Sequence, residues 1–70
     1  MTGSDLRATR KRLGLKQRGL ASLLGIHWST VARYEQGAID IPPAVALLVD
    51  VLDVVPGVRG RLEIIAGVPR

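Results

Sequence analysis

The 70-residue sequence predicts an all-α fold, a compact bundle of about five short helices within a single domain, residues 1–70. Apolar residues recur at the three-, four- and seven-residue spacing of one helix face. Glycines or prolines interrupt this pattern at Gly14, Gly25, Gly37 and Pro42–Pro43, so each helix must be short. Because the chain has no cysteine, its small core must be stabilised by close packing or oligomerisation.

The charge is unevenly distributed along the chain. Residues 1–34 contain seven Lys or Arg and one Asp, whereas residues 35–70 contain three Arg and five acidic residues. A basic half followed by a mildly acidic, apolar half indicates one surface for a polyanion and another for a protein partner. The alternative is a generally basic protein with no such division.

Several classes of protein are not expected from this composition. The longest apolar run, 45–55, contains two Asp residues and is too short to span a membrane. The N-terminus lacks the apolar region of a signal peptide, so we expect a cytoplasmic protein with no membrane partner. One histidine without cysteine predicts no metal site and no cofactor, and nothing resembles a catalytic constellation, so no enzyme is expected.

The first three helices are predicted at about Ser4–Leu13, Lys16–Leu24 and His27–Gln36. Ser4 is the expected N-cap of the first, and a glycine suited to a left-handed backbone follows each helix. The inward sides of the second and third helices are predicted to be formed by Leu20, Ala21, Leu23, Leu24, Val31 and Tyr34.

The fourth helix is predicted at about Pro43–Val54, because proline is favoured in the first turn of a helix. It has two apolar stripes: Val45, Leu48, Val49 and Leu52, and Ala44, Leu47, Val51 and Val55. One stripe suffices for a small core, so the second needs a partner. A fifth helix is predicted at about Val58–Ala66, although Leu62–Val68 is also compatible with a strand.

The stretch Leu13–Gly37 resembles the Cro/repressor-type (XRE-like) helix-turn-helix family. The residues that carry the resemblance at the expected spacing are Leu15, Gln17, Leu20, Ala21, Leu24, Gly25, Ile26, Ser29, Thr30, Val31, Tyr34, Glu35 and Gly37. With its flanking helices it covers roughly residues 4–54. It implies a lambda repressor-like DNA-binding domain, in which the second and third helices form the helix-turn-helix and the third enters the major groove.

The sequence departs from this family at four places. Lys16 and His27 stand where a Ser, Thr or Asn cap is usual, and Gly19 lies inside the second helix. The loop after the third helix reads Ala38-Ile39-Asp40 and lacks the usual basic residues. We therefore expect the phosphate contacts to come from the first three helices.

Trp28, Ser29 and Arg33 occupy the positions that the resemblance assigns to base reading. Trp28 falls outside the inward face and is expected to be partly exposed, to contact thymine methyl groups or to donate its N–H to a phosphate. The alternative is that it covers an edge of the core. Arg33 suits a bidentate contact to guanine, the alternative being a surface salt bridge.

Phosphate contacts are expected from the start of the second helix and from nearby cations. The candidates are Gln17, Thr30, Lys16, Arg18, Lys11, Arg12 and His27. Some of these cations are expected to be merely solvated, and Gln17 is otherwise a plain helix-starting residue. His27 is otherwise expected to be a turn or capping residue. Arg10 and Glu35 are expected to form a structural ion pair, as the family pattern implies, rather than two independent surface charges.

These features predict a homodimeric transcriptional repressor that binds a palindromic operator in double-stranded DNA. The proposed dimer interface consists of Leu47, Val51, Val55, Val58, Leu62 and Ile65 within the segment 43–66. The alternative hypothesis is an antitoxin or adaptor whose apolar C-terminal half binds a partner protein.

Overall fold

A computed structural model of the chain describes residues 1–54, and these residues form four helices and no strand. The helices are α1 (Gly3–Arg12), α2 (Gln17–Leu24), α3 (Trp28–Gln36) and α4 (Pro43–Val54). The all-α prediction is therefore confirmed, with helix bounds within a residue or two of those expected. The fifth helix, with its strand alternative, lies outside the described residues. Within 1–54, no helix has the length and apolar character needed to cross a membrane.

The N-terminus of α1 is capped by Thr2, so the prediction that Ser4 is the cap was wrong. The Asp5 N–H donates to Thr2 Oγ1 over 3.1 Å, and the Thr2 N–H donates to Asp5 Oδ2 over 2.9 Å. These reciprocal bonds form a capping box, in which two free N–H groups are satisfied at once. They lower the pKa of the Asp5 carboxyl, since the hydrogen bonds from Thr2 favour its charged form.

The ends of α2 and α3 follow the local sequence. Gly25 and Gly37 adopt the left-handed conformation after each helix, with φ of 69° and 76°. Lys16 precedes α2 without making a side-chain capping bond. His27 caps α3, because its ring nitrogen accepts the N–H of Ser29. Of the two residues that replace the usual cap, Lys16 thus makes no capping bond, whereas His27 is a capping residue.

Each helix contributes one completely buried side chain to the centre of the core: Leu6, Leu20, Val31 and Val49. Around them pack Leu15, Ala21, Leu23, Tyr34 and Leu52. α2 packs against α3, and α1 contacts both α3 and α4. The inward faces predicted for α2 and α3 are thus confirmed, and on α4 the buried residues Val49 and Leu52 belong to the first of the two predicted stripes. α3 is held from behind by this apolar core.

Gly3 marks a close approach of two helices that the sequence did not reveal. A Cβ atom at this position would lie 2.4 Å from the carbonyl oxygen of Tyr34 and 2.7 Å from that of Glu35. The first turn of α1 therefore crosses directly against the last turn of α3. Only glycine allows this contact without displacement of the backbone.

Candidate nucleic-acid interface

α3 has one side buried in the core and the opposite side free. Val31 and Tyr34 are buried, whereas Arg33 and Gln36 are exposed and Ser29 is partly exposed. Ser29, Arg33 and Gln36 follow one another at intervals of four and three, so they share one side of the helix. Gln36 was missed in the sequence, although its spacing of seven from Ser29 places it on this side.

An ion pair joins α1 to α3 behind the free side of the helix. Arg10 Nε donates to Glu35 Oε2 over 2.7 Å, and Arg10 Nη2 donates to Glu35 Oε1 over 3.0 Å. Arg10 Nη1 also donates to the carbonyl oxygen of Leu15 over 3.0 Å, just before α2 begins. The two residues paired in the sequence analysis therefore lie in contact, and Arg10 connects three segments of the domain.

Gln17 belongs to the same network. Its side-chain Nε2 lies 3.4 Å from Glu35 Oε1, at the long end of hydrogen-bond distances. This contact positions the amide at the first residue of α2, where free N–H groups of the helix favour a phosphate.

Trp28 stands at the first residue of α3, with 40% of its surface exposed. The guanidinium carbon of Arg18 lies 5.3 Å from the centre of the indole ring, a cation–π distance. The His27 ring lies 5.7 Å away at a tilt of 33°. An open groove of about 430 Å³ separates the starts of α2 and α3 and is lined by Arg10, Lys16, Gln17, Arg18 and Trp28.

Ser29 has a contact within its own turn. Its N–H donates to His27 Nδ1 over 3.2 Å, and its Oγ lies 2.8 Å from the same nitrogen. Since the backbone N–H donates to Nδ1, that nitrogen is unprotonated and the ring proton is on Nε2.

The cations proposed to contact phosphate fall into two groups. Lys11, Lys16 and Arg18 are exposed and form no ion pair within residues 1–54. Arg12 differs, because its Nη2 donates to Asp53 Oδ2 over 2.8 Å and to Thr9 Oγ1 over 3.1 Å. Asp53 raises the pKa of Arg12 by this hydrogen bond and by its charge. Arg12 thus joins α1 to α4, and we infer that this contact keeps it from the phosphate contact predicted from the sequence.

The remaining predicted positions are only partly described. Thr30 is partly exposed, and its N–H donates to the His27 carbonyl oxygen in the first turn of α3.

On α4, Leu47 is 65% exposed and Val51 is half-buried. Val54, which was not among the residues predicted for the interface, is 70% exposed. The other residues proposed for dimerisation lie outside the described residues: Val55, Val58, Leu62 and Ile65.

A family model described as a helix-turn-helix domain matches residues 3–62 of the chain. No curated protein and no solved structure matches the chain. The matched range includes all four described helices and is consistent with the XRE-like resemblance found in the sequence. The chain therefore belongs to the helix-turn-helix domain family.

Proposed function

We propose that the protein is a sequence-specific transcriptional regulator that inserts α3 into the major groove of double-stranded DNA. One observation carries this proposal. α3 is fixed from behind by buried Val31 and Tyr34 and by the Arg10–Glu35 pair, while its opposite side leaves Arg33 free. A rigid helix with a free polar side is what major-groove recognition requires.

The distribution of charge supports this orientation. Lys16, Arg18 and Arg33 are exposed around α2 and α3, whereas the charged residues of α4 are Asp50 and Asp53. A polyanion is therefore attracted to the side that carries α3 in preference to α4. The uncapped N-terminus of α2 adds free N–H groups, which favour a phosphate beside Gln17.

The roles of the individual residues follow from their positions. Arg33 reads a guanine edge, and Ser29 and Trp28 contact neighbouring bases. The backbone phosphates are contacted by Lys11, Lys16, Gln17, Arg18 and Thr30, and by His27 through its Nε2–H. These contacts bring no sequence information and set the register of the helix on the duplex.

We further propose that the protein acts as a homodimeric repressor on a palindromic operator. One domain spans few base pairs, and two copies place their recognition helices about 34 Å apart, one turn of DNA. Exposed Leu47 and Val54 support an interface on α4, continued by the rest of the segment 43–66. The same apolar residues favour a second candidate, an antitoxin or adaptor that covers a partner protein.

A binding selection on random DNA duplexes at a stated salt concentration tests the first proposal. We expect a palindromic consensus. Arg33→Ala should cost about 1–3 kcal/mol at a single base position and relax its specificity. Lys16→Ala should weaken all sequences alike and reduce the slope of log K against log salt by about 1.

Arg12→Ala is the matched control, because it removes the same charge from a residue bound to Asp53. It should leave affinity and specificity nearly unchanged. Recovery of no preferred duplex would refute sequence-specific binding, and equal effects of Arg33→Ala and Lys16→Ala on all sequences would refute the division of roles.

Sedimentation of the isolated chain separates the two candidates. A clean dimer supports self-association, whereas an aggregating monomer supports a missing protein partner. Leu47→Glu should convert the dimer to monomers, since it places a charge in the proposed interface. Ile39→Glu is the control, because Ile39 is also an exposed apolar residue but lies outside α4.

A further inference from the structure

We propose that Trp28, braced by Arg18, reads the 5-methyl group of a pyrimidine, either thymine or 5-methylcytosine. This inference rests on the proposed function and names the chemical group that one end of α3 recognises. Trp28 lies at the start of α3, the end that reaches the base edges in helix-turn-helix domains. Tyr34 is buried in the core, so of Trp28 and Tyr34 only Trp28 is exposed.

The composition of the groove decides between a phosphate and a base as the target of the indole. Lys16, Gln17 and Arg18 already line this groove and supply several strong donors for phosphate oxygens. The indole N–H adds little to these donors, whereas the indole carbons form an apolar surface at the edge of the groove. The C5-methyl of thymine is the apolar group that the major groove presents, so it is the matching partner.

Arg18 positions the indole for this contact. Its guanidinium lies 5.3 Å from the ring centre, and His27 lies close to the same ring at 5.7 Å. These neighbours restrict the rotation of a side chain that is otherwise only partly buried, so less conformational entropy is lost on binding. Arg18 is therefore a positioning residue for Trp28 in addition to a phosphate ligand.

The inference is tested by replacing single bases of the duplex, so that each replacement adds or removes one methyl group. In the duplex recovered by selection from a random pool, each thymine is replaced in turn by uracil, which lacks only the methyl group. We expect weakening of about fourfold at one position in each half-site, the factor given by burial of one methyl-sized group. At that position, 5-methylcytosine paired with guanine should bind about fourfold more tightly than cytosine paired with guanine.

Variants assign this dependence to the indole. Trp28→Ala should abolish the difference between thymine and uracil, and Trp28→Phe should keep part of it. Arg18→Ala should reduce the ratio of the two affinities as well as the overall affinity, an effect not expected from loss of a phosphate contact alone. Arg12→Ala, which removes a charge from the α1–α4 contact, should leave the ratio unchanged.

Two outcomes would overturn the inference while leaving the proposed function intact. These are equal binding of thymine and uracil duplexes at every position, and a methyl dependence that survives Trp28→Ala. Tighter binding of the matching single strand than of the duplex would refute the proposed function as well. Failure to recover any preferred duplex would refute the proposed function itself, and with it this inference. Because Trp28 is the chain's single tryptophan, its fluorescence reports directly on whether the indole contacts DNA.

Discussion

Arg10 and Arg12, two residues apart on α1, each form an ion pair. The two pairs differ in their hydrogen bonds, in their burial and in the helix that they join to α1. Arg10 and Glu35 are joined by two hydrogen bonds, with only 11% and 5% of their side chains exposed. Arg12 and Asp53 are joined by one hydrogen bond, with 59% and 27% exposed. The first pair connects α1 to α3, and the second connects α1 to α4.

The difference shows that α3 and α4 are joined to α1 in different ways. A recognition helix must be held within a fraction of an ångström to read base edges, and the buried pair limits its angle. α4 needs only to cover the core, and Val49 and Leu52 already achieve this by apolar packing. The exposed pair on that side is expected to contribute little, since solvent and salt screen it.

The largest effect is expected from breaking the buried pair. Glu35→Ala leaves the Arg10 guanidinium, whose side chain is only 11% exposed, without its carboxylate partner, and breaking such a pair costs about 3–5 kcal/mol of unfolding free energy. A domain of this size has only about that much stability, so the variant should be largely unfolded at room temperature. Urea unfolding followed by circular dichroism measures the change, and an unaltered midpoint would show that the pair is not structural.

A second prediction concerns the same two helices, α1 and α3, but adds atoms to their contact instead of removing them. Gly3→Ala adds a methyl group within 2.4 Å of the Tyr34 carbonyl oxygen, so the first turn of α1 must move away from α3. We expect a loss of about 1–3 kcal/mol, as for overpacked sites. Ser4→Ala is the control, because Ser4 is exposed in the same turn. Equal stability of both variants would argue against the close helix crossing.

The exposed pair should respond weakly. Asp53→Ala removes the partner of Arg12 and is expected to lower Tm by less than about 4 °C at low salt. The difference should disappear in 1 M salt, where the Debye length is about 3 Å. Thermal unfolding at the two salt concentrations measures it. A loss as large as that of Glu35→Ala would erase the distinction between the two ion pairs.

The smallest effect concerns the N-terminal cap of α1. Since the folded state lowers the pKa of Asp5, its carboxylate stabilises the fold above the ordinary carboxyl pKa, and this contribution is lost as pH falls through the folded value. Asp5→Asn should therefore lower Tm near neutral pH, and its Tm should approach that of the wild type as the pH falls below the ordinary carboxyl pKa. A Tm difference that stays constant across this range would exclude the charged capping box.

Much of this architecture is encoded in short-range patterns. Gly25 and Gly37 end helices because a left-handed residue is needed there, and the spacing of Leu20, Val31 and Val49 predicts the core. Contacts between distant segments were harder to predict. Neither the crossing at Gly3 nor the pairing of Arg12 with Asp53 leaves a local sequence signal, because each depends on the angle between two helices.

The cap of α1 was missed for a different reason. Both Thr2 and Ser4 are good caps, and only the carboxylate three residues after Thr2 distinguishes them. On the free side of α3, Trp28 and Arg33 were predicted as exposed, whereas the link between Trp28 and Arg18 requires the turn that brings α2 and α3 together.

The most direct test of the account is a titration of ¹⁵N-labelled protein with its selected duplex, followed by amide and indole NMR signals. We predict that the largest shifts occur at the Trp28 indole, at Ser29 and Arg33, and at the first turn of α2, with α4 little affected. Shifts confined to α4, with the Trp28 indole signal unchanged, would contradict recognition of DNA through α3.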